Sequence, residues 1–301
     1  MSSAAGTGTD RNHDDALSWV PAAGRVALVI AVALTIAVSM AFLMLPIVAL
    51  ITYQPLHDLI SGLGSQVAVD AIEVSVKTNA IAFVLMIAFG TPFAYVLARR
   101  RFPGRNVVIT LLELPLVMPP AVAGLGLLVA FGTLGLLGHT LSALGIDLAF
   151  TQAAVVMAIV FVASPFYLRG AIAAFEAVDE TLIDVAGTLG AGPVRRMLRV
   201  AIPLAGGGLG AAAAVAFARG IGEFGATILF AGSFQGTTQT LPLAVYSLFD
   251  ANLDQAIAIG VLLIVVSAAI LLISKLLASS WQTSSKLTSP WRGERSSFAP
   301  R

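Results

Sequence analysis

Long uninterrupted apolar runs, cut by clusters of arginine and turn residues, constrain this chain more than any other feature. A run must reach roughly 20 residues to cross a hydrocarbon core of about 30 Å. Cut at charges and loop residues, the sequence yields six such runs: 26–53, 74–98, 107–131, 152–169, 204–230 and 255–277. Composition agrees, since 58% of the 301 residues are hydrophobic and only 11% are charged. That leaves too little polar surface to face water on all sides. The first run follows Arg25 and is longer than the roughly 7–15 apolar residues of a signal-peptide core, so it reads as an uncleaved span.

Charge placement orients the spans. Of the 17 Lys and Arg residues, all but Lys77 and Arg219 fall on one side of this six-span arrangement. Positive residues stay in the cytoplasm, which places both termini inside. Residues 1–25 are then a disordered cytoplasmic tail, 26–277 the membrane domain and 278–301 a second cytoplasmic tail. The longest internal connection, 170–203, is cytoplasmic and reads as short helices broken at Gly190, Gly192 and Pro193. Long structured loops in compact proteins usually have a function.

Several chemistries are excluded. There is no cysteine, hence no disulfide framework, thiolate metal site or thiol nucleophile. His13, His57 and His139 are isolated, without metal-ligand spacing. The formal net charge of +1 argues against a nucleic-acid partner. Gly220, Gly222 and Gly225 match a dinucleotide fingerprint but follow no strand and open no βαβ unit. No GxxxxGK[ST] occurs, so the chain has no P-loop of its own.

The long loop contains Asp184-Val185-Ala186, a glycine at Gly190 and Val200-Ala201-Ile202-Pro203. This spacing resembles the cytoplasmic EAA loop of ABC-importer permeases, with Asp184 in place of glutamate and Val185 in place of alanine. A second block, Ala218-Arg219-Gly220-Ile221-Gly222-Glu223-Phe224-Gly225-Ala226-Thr227, continues to Thr238-Gln239-Thr240-Leu241-Pro242. It resembles the molybdate and sulfate branch of those permeases, and most closely the molybdate members. So do Arg101-Phe102-Pro103-Gly104-Arg105 and the stretch from Leu114 to Gly124 containing Pro115, Pro119 and Pro120.

The resemblance implies an all-α, six-span type I importer permease in the bacterial inner membrane. It implies a homodimer, two P-loop ATPase subunits that bind ATP and magnesium, and a periplasmic or surface-tethered molybdate-binding protein; the chain itself carries no cofactor. In the family the EAA loop forms a coupling helix that docks on the ATPase, which assigns that role to Asp184, Val185, Ala186, Leu189, Gly190, Arg195 and Pro203. An amphipathic loop lying on the membrane is the competing reading. Pro115, Pro119 and Pro120 remove backbone donors from the third span, as befits a helix lining a path. Arg219, Glu223 and Thr227 are expected on that path or its gate, with Ser233, Thr237 and Thr238 as further hydroxyl candidates. Arg219 and Glu223 could equally be a structural ion pair inside span five, at i,i+4 spacing. The glycines around Gly206 and Gly210 suit close helix packing or a hinge. Glu113 should face a cation or the cytoplasm. A sulfate or thiosulfate permease and an ion-coupled secondary transporter remain as alternatives, and tungstate is not separable from molybdate.

Overall fold

The computed structural model describes residues 22–287, all helix, turn or loop with no strand among them. The tails expected at 1–25 and 278–301 therefore lie largely outside the described residues.

The chain divides into two units, residues 1–53 and 54–301. The first is a single helix, α1 (Ala22–Thr52). Its side chains are apolar around the whole circumference and almost all exposed, the pattern of a membrane span rather than of a half-buried soluble helix. Thr35 and Thr52 return their hydroxyls to the carbonyls four residues earlier.

In the second unit the helices run α2 (Leu56–Leu63), α3 (Gln66–Arg99), α4 (Arg105–Val117), α5 (Pro120–Phe131), α6 (Gly138–Ala143), α7 (Gln152–Glu176), α8 (Glu180–Thr188), α9 (Pro193–Arg196), α10 (Ile202–Ile221), α11 (Gly225–Phe230), α12 (Leu241–Leu248) and α13 (Leu253–Leu287). Among the described residues five helices are long and apolar enough to cross a membrane. The pair α4 and α5 makes a sixth crossing only if its 113° bend is counted within one span.

The expected boundaries shift in consistent ways. The second span begins at Gln66, where Ser65 caps the helix by accepting from the Ala68 amide. The fourth continues to Glu176, so residues 170–176 belong to the membrane helix and not to the loop. The fifth begins at Pro193, inside the loop, and ends at Ile221 instead of Phe230. Pro203 therefore sits within a continuous helix rather than closing the loop. A proline there removes one helical donor and crowds the preceding turn, and a π-helical stretch, Met197–Ala201, absorbs the misfit immediately before it.

The core is organised about α7, the most enclosed of the spans at 61% buried residues. Its seam with α10 is built from small residues. A Cβ on Gly170 would lie 2.6 Å from the Ala212 Cβ, and one on Gly208 would lie 2.5 Å from the Ala174 Cβ. Gly170 and Ala174 on one helix thus interlock with Gly208 and Ala212 on the other, a reciprocal small-xxx-small contact. Gly210, one of the pair prominent in the sequence, is not part of this contact: nothing lies within 4 Å of a Cβ there. The Tyr167 and Thr91 hydroxyls lie 2.6 Å apart and tie α7 to α3.

Candidate functional site

Two groups of expected residues can be placed. The first is the loop between α7 and α10. Arg99, at the end of α3, donates to the Phe175 and Val178 carbonyls at 2.8 Å each and so satisfies the C-terminus of α7. Asp179 then caps α8, its carboxylate accepting from the Thr181 amide at 2.9 Å. That donation from the Thr181 backbone, with lesser help from the Thr181 side chain and Arg99, holds the Asp179 carboxyl below its ordinary range. At its far end α8 closes in a full Schellman turn. Gly190 adopts φ +84°, its amide donates to the Gly187 carbonyl, and the Ala191 amide reaches back to Ala186.

Ile183 is the anchor of α8, buried in one cluster with Phe175, Val178 and Ala201. The opposite face carries Leu182, Val185 and Leu189, which are 49%, 51% and 82% exposed. Ala186 is half-buried, while Asp184 and Arg195 are exposed and form no ion pair among the described residues. Arg195, Arg196 and Arg199 lie in the first turns of the helix running Pro193–Ile221. Arg196 reaches back to the last turn of α8, where its guanidinium nitrogen would be 3.1 Å from a Cβ on Gly187.

The second group gathers at two helix breaks. Between α4 and α5, Pro119 and Pro120 drive Met118 and Pro119 into extended backbone, ψ 133° at both, and α5 restarts with Pro120 at its first position. Pro115 stays inside α4 and does not mark the break. Between α10 and α11 the chain unwinds over residues 222–224. The two interruptions meet: a Cβ on Gly225 would fall 2.7 Å from the Pro120 Cβ, and one on Gly124 would fall 2.6 Å from the Ala226 carbonyl oxygen.

Arg219 and Glu223 do form an ion pair, at 2.8 Å. They do not share a helix, however: Arg219 is in the last turn of α10 and Glu223 lies in the break. The Glu223 side chain is 1% exposed and its other oxygen accepts from the Ala226 amide at 2.8 Å, so one carboxylate serves both as counter-ion and as cap for α11. Thr227 is fully buried and its hydroxyl has no partner among the described residues. Of the other hydroxyls, Thr238 accepts from the Phe234 amide, Ser233 pairs with Ser247, and Thr237 is exposed. Glu113 finds the cation expected of it, Arg169 at 3.8 Å. No hydrogen bond or ion pair joins the loop group to the group at the breaks among the described residues. What links them is the helix Pro193–Ile221, which begins in the loop and ends beside Glu223.

Asp179 and Arg99 were not singled out in the sequence. The signal for Asp179 was present, an acid directly before Glu180 and an amphipathic turn. Arg99 was masked because it opens an arginine run read only as a topology signal. No cluster of three or more His, Cys, Asp or Glu could hold a metal among the described residues.

A bundle of long helices with a two-piece loop between α7 and α10 and paired helix breaks is the architecture the sequence resemblance implies. Residues 90–282 match the family described as binding-protein-dependent transport system inner membrane component, and the chain belongs to that family. It is a multi-pass membrane protein and a transport component. It is 44% identical over 236 residues to the molybdenum transport system permease protein ModB of Mycobacterium tuberculosis, covering 77% of this chain and 88% of the relative. Similarity to a probable sulfate transport system permease protein, cysT of Nephroselmis olivacea, is 31% over 244 residues, 80% of this chain and 86% of the relative. The fold matches a bacterial alginate ABC transporter crystallised in complex with a periplasmic protein, with TM-score 0.65, 19% identity and coverage of 83% and 93%.

Proposed function

We propose that this chain is the membrane-spanning subunit of an ATP-driven importer for molybdate. It acts as a homodimer with two P-loop ATPase subunits on the arginine-rich, cytoplasmic side and a molybdate-binding protein on the other, with both termini inside. One observation carries the ATP-driven part. The α8 knob is anchored by Ile183 and capped at both ends, yet leaves Leu182, Val185 and Leu189 exposed. An apolar face on a rigid knob, on the charged side of the protein, is a docking surface for another subunit. The identity of 44% to a molybdenum permease against 31% to a sulfate permease supports the substrate.

Mechanism follows from the continuity of the Pro193–Ile221 helix. Its 29 residues span about 43 Å, enough to carry a displacement of the loop to the break at Glu223. A bare dianion in hydrocarbon would cost tens of kcal/mol, so the dimer must enclose a polar path that opens to one side at a time. Nucleotide-driven closure of the ATPases draws the two α8 knobs together. The α10 helices move with them, and the packed breaks at Pro119–Pro120 and 222–224 are where the path opens or shuts. Arg219 offers a cation on that path, Thr227 a buried hydroxyl, and Glu223 holds the arginine in place.

The test is reconstitution of the chain with its ATPase and binding protein in proteoliposomes, comparing molybdate with sulfate. Molybdate-loaded binding protein should stimulate hydrolysis and uptake, and both should be lost with Leu189→Asp or Asp184→Lys. Stimulation by sulfate alone overturns the substrate. Uptake that follows an ion gradient without any ATPase overturns the class.

A further inference from the structure

The ends of α3 and α7 and the starts of α4 and α8 line a cavity of about 630 Å³ that the transport mechanism does not use. Its polar wall is made by Arg99, Arg101, Arg105, Asn106, Glu176 and Glu180. These charges are not equivalent. Arg105 is committed to Glu176 at 2.6 Å and to the Leu97 carbonyl at 2.7 Å. Arg99 holds two carbonyls with one terminal nitrogen, while its Nε is buried without an acceptor. Arg101 is exposed and has no hydrogen-bond or ion-pair partner among the described residues. Beside them α4 starts at Gly104, whose φ of +88° turns the chain so that its carbonyl takes the first helical bond, from Val108. The amides of Asn106 and Val107 precede that bond and have no helical acceptor. Glu180 is the one acid of the wall outside an ion pair. A wall richer in free donors than in acceptors, with guanidinium groups among them, recognises a tetrahedral oxyanion.

The apolar surroundings say which kind. Phe102 and Val107 line the same cavity, and Val107 is 61% exposed. From Val107 an exposed stripe continues through Leu111 and Leu114, at the i, i+4, i+7 spacing of one helix face. A free ion would use only the pocket, whereas an amphiphile uses pocket and stripe together. We infer that this cavity binds the phosphate headgroup of an anionic phospholipid from the cytoplasmic leaflet, with hydrocarbon laid along Val107, Leu111 and Leu114. Basic pockets between spans on the cytoplasmic side suit such headgroups. The inference rests on the cytoplasmic placement of the arginine-rich side and is independent of the transported substrate. Because the wall joins the end of α3, the start of α4 and the first residue of α8, a bound lipid braces the base of the coupling knob.

Native mass spectrometry of the purified full-length chain, offered equal amounts of dioleoyl phosphatidylglycerol and dioleoyl phosphatidylcholine, tests this. Phosphatidylglycerol should be retained in about fivefold preference, the scale of one basic side chain at an anionic lipid. Arg101→Ala should remove most of that preference. Arg100→Ala, which deletes the same charge from the adjacent exposed position outside the cavity, should preserve it. Inorganic phosphate should fail to displace the lipid. Equal retention of the two lipids, equal losses in the two variants, or displacement by inorganic phosphate would each overturn the assignment.

Discussion

The seam between α7 and α10 and the junction of the two helix breaks are both built on glycine, yet they solve opposite problems. At the seam, Gly170 and Gly208 let two unbroken helices approach until each meets an alanine of the other. In lipid there is little hydrophobic drive between helices, so close van der Waals packing has to supply the association. At the junction, Gly124 and Gly225 let two interrupted helices approach where each restarts. There the unwound backbone and a buried carboxylate must be satisfied inside the protein, because lipid offers no hydrogen bonds. Steric fit therefore holds the first region and electrostatic neutralisation the second. A fitted seam suits helices that must move as one body, and a polar junction with few alternatives to its ion pair suits the part that opens.

The largest effect should come from removing charge at the junction. Glu223→Ala strips the counter-ion from Arg219 and the cap from α11 together. Breaking a buried pair by deleting one partner costs about 3–5 kcal/mol, and the partial exposure of Arg219 places the loss near the lower end. Thermal unfolding in detergent should show it, and Glu223→Gln should recover part, since an amide oxygen can still accept from Ala226. If Glu223→Ala unfolds like the unmodified chain, the junction is not held by charge. Next in size is the seam. Gly208→Val forces a side chain against Ala174 and should cost roughly 1–3 kcal/mol by overpacking. Gly210→Ala, with open space around it, should be close to neutral. Equal effects of the two would place the contact on the wrong pair of glycines.

That second comparison also marks what could be read from the residues alone. Apolar run lengths and arginine placement are one-dimensional signals, and they were enough for the spans and for the two-piece loop around Gly190. Proline is equally local, so the break at Pro119–Pro120 was legible. Which glycine faces which helix was not, because Gly206, Gly208 and Gly210 differ only in angle around α10 and the sequence does not say where α7 lies. The start of the Pro193–Ile221 helix was missed because Pro203 reads as a terminator, while a π-helical stretch can carry a helix through it. Glu223 looked like an in-helix i,i+4 partner of Arg219 because spacing records separation along the chain and not whether the helix survives between the two.

A smaller effect tests the contact between α7 and α3. Tyr167→Phe removes the contact with Thr91 and leaves a buried hydroxyl without its partner, for a loss of about 1 kcal/mol. Tyr167→Phe combined with Thr91→Val should restore part of it, because an apolar pair of similar shape leaves no polar atom unsatisfied. Additive losses in the double variant would mean that the two hydroxyls act separately.

The smallest effect lies where α7 hands over to the knob, and pH reads it. Donation from the Thr181 amide, followed by the Thr181 side chain and Arg99, lowers the Asp179 carboxyl from its ordinary value of 3.8. A group whose folded value is depressed stabilises the fold fully above its unfolded value and loses that contribution as pH falls through the folded one. The cap should therefore be intact at neutral pH and fade only in acid below 3.8. Amide hydrogen exchange at Thr181 reads this directly. Protection should be pH-independent in Asp179→Asn, which keeps an oxygen acceptor without a titrating charge, and absent in Asp179→Ala. Loss of protection in the unmodified chain well above 3.8 would mean that another group caps α8, and that the knob is set by the end of α7 rather than by its own first residue.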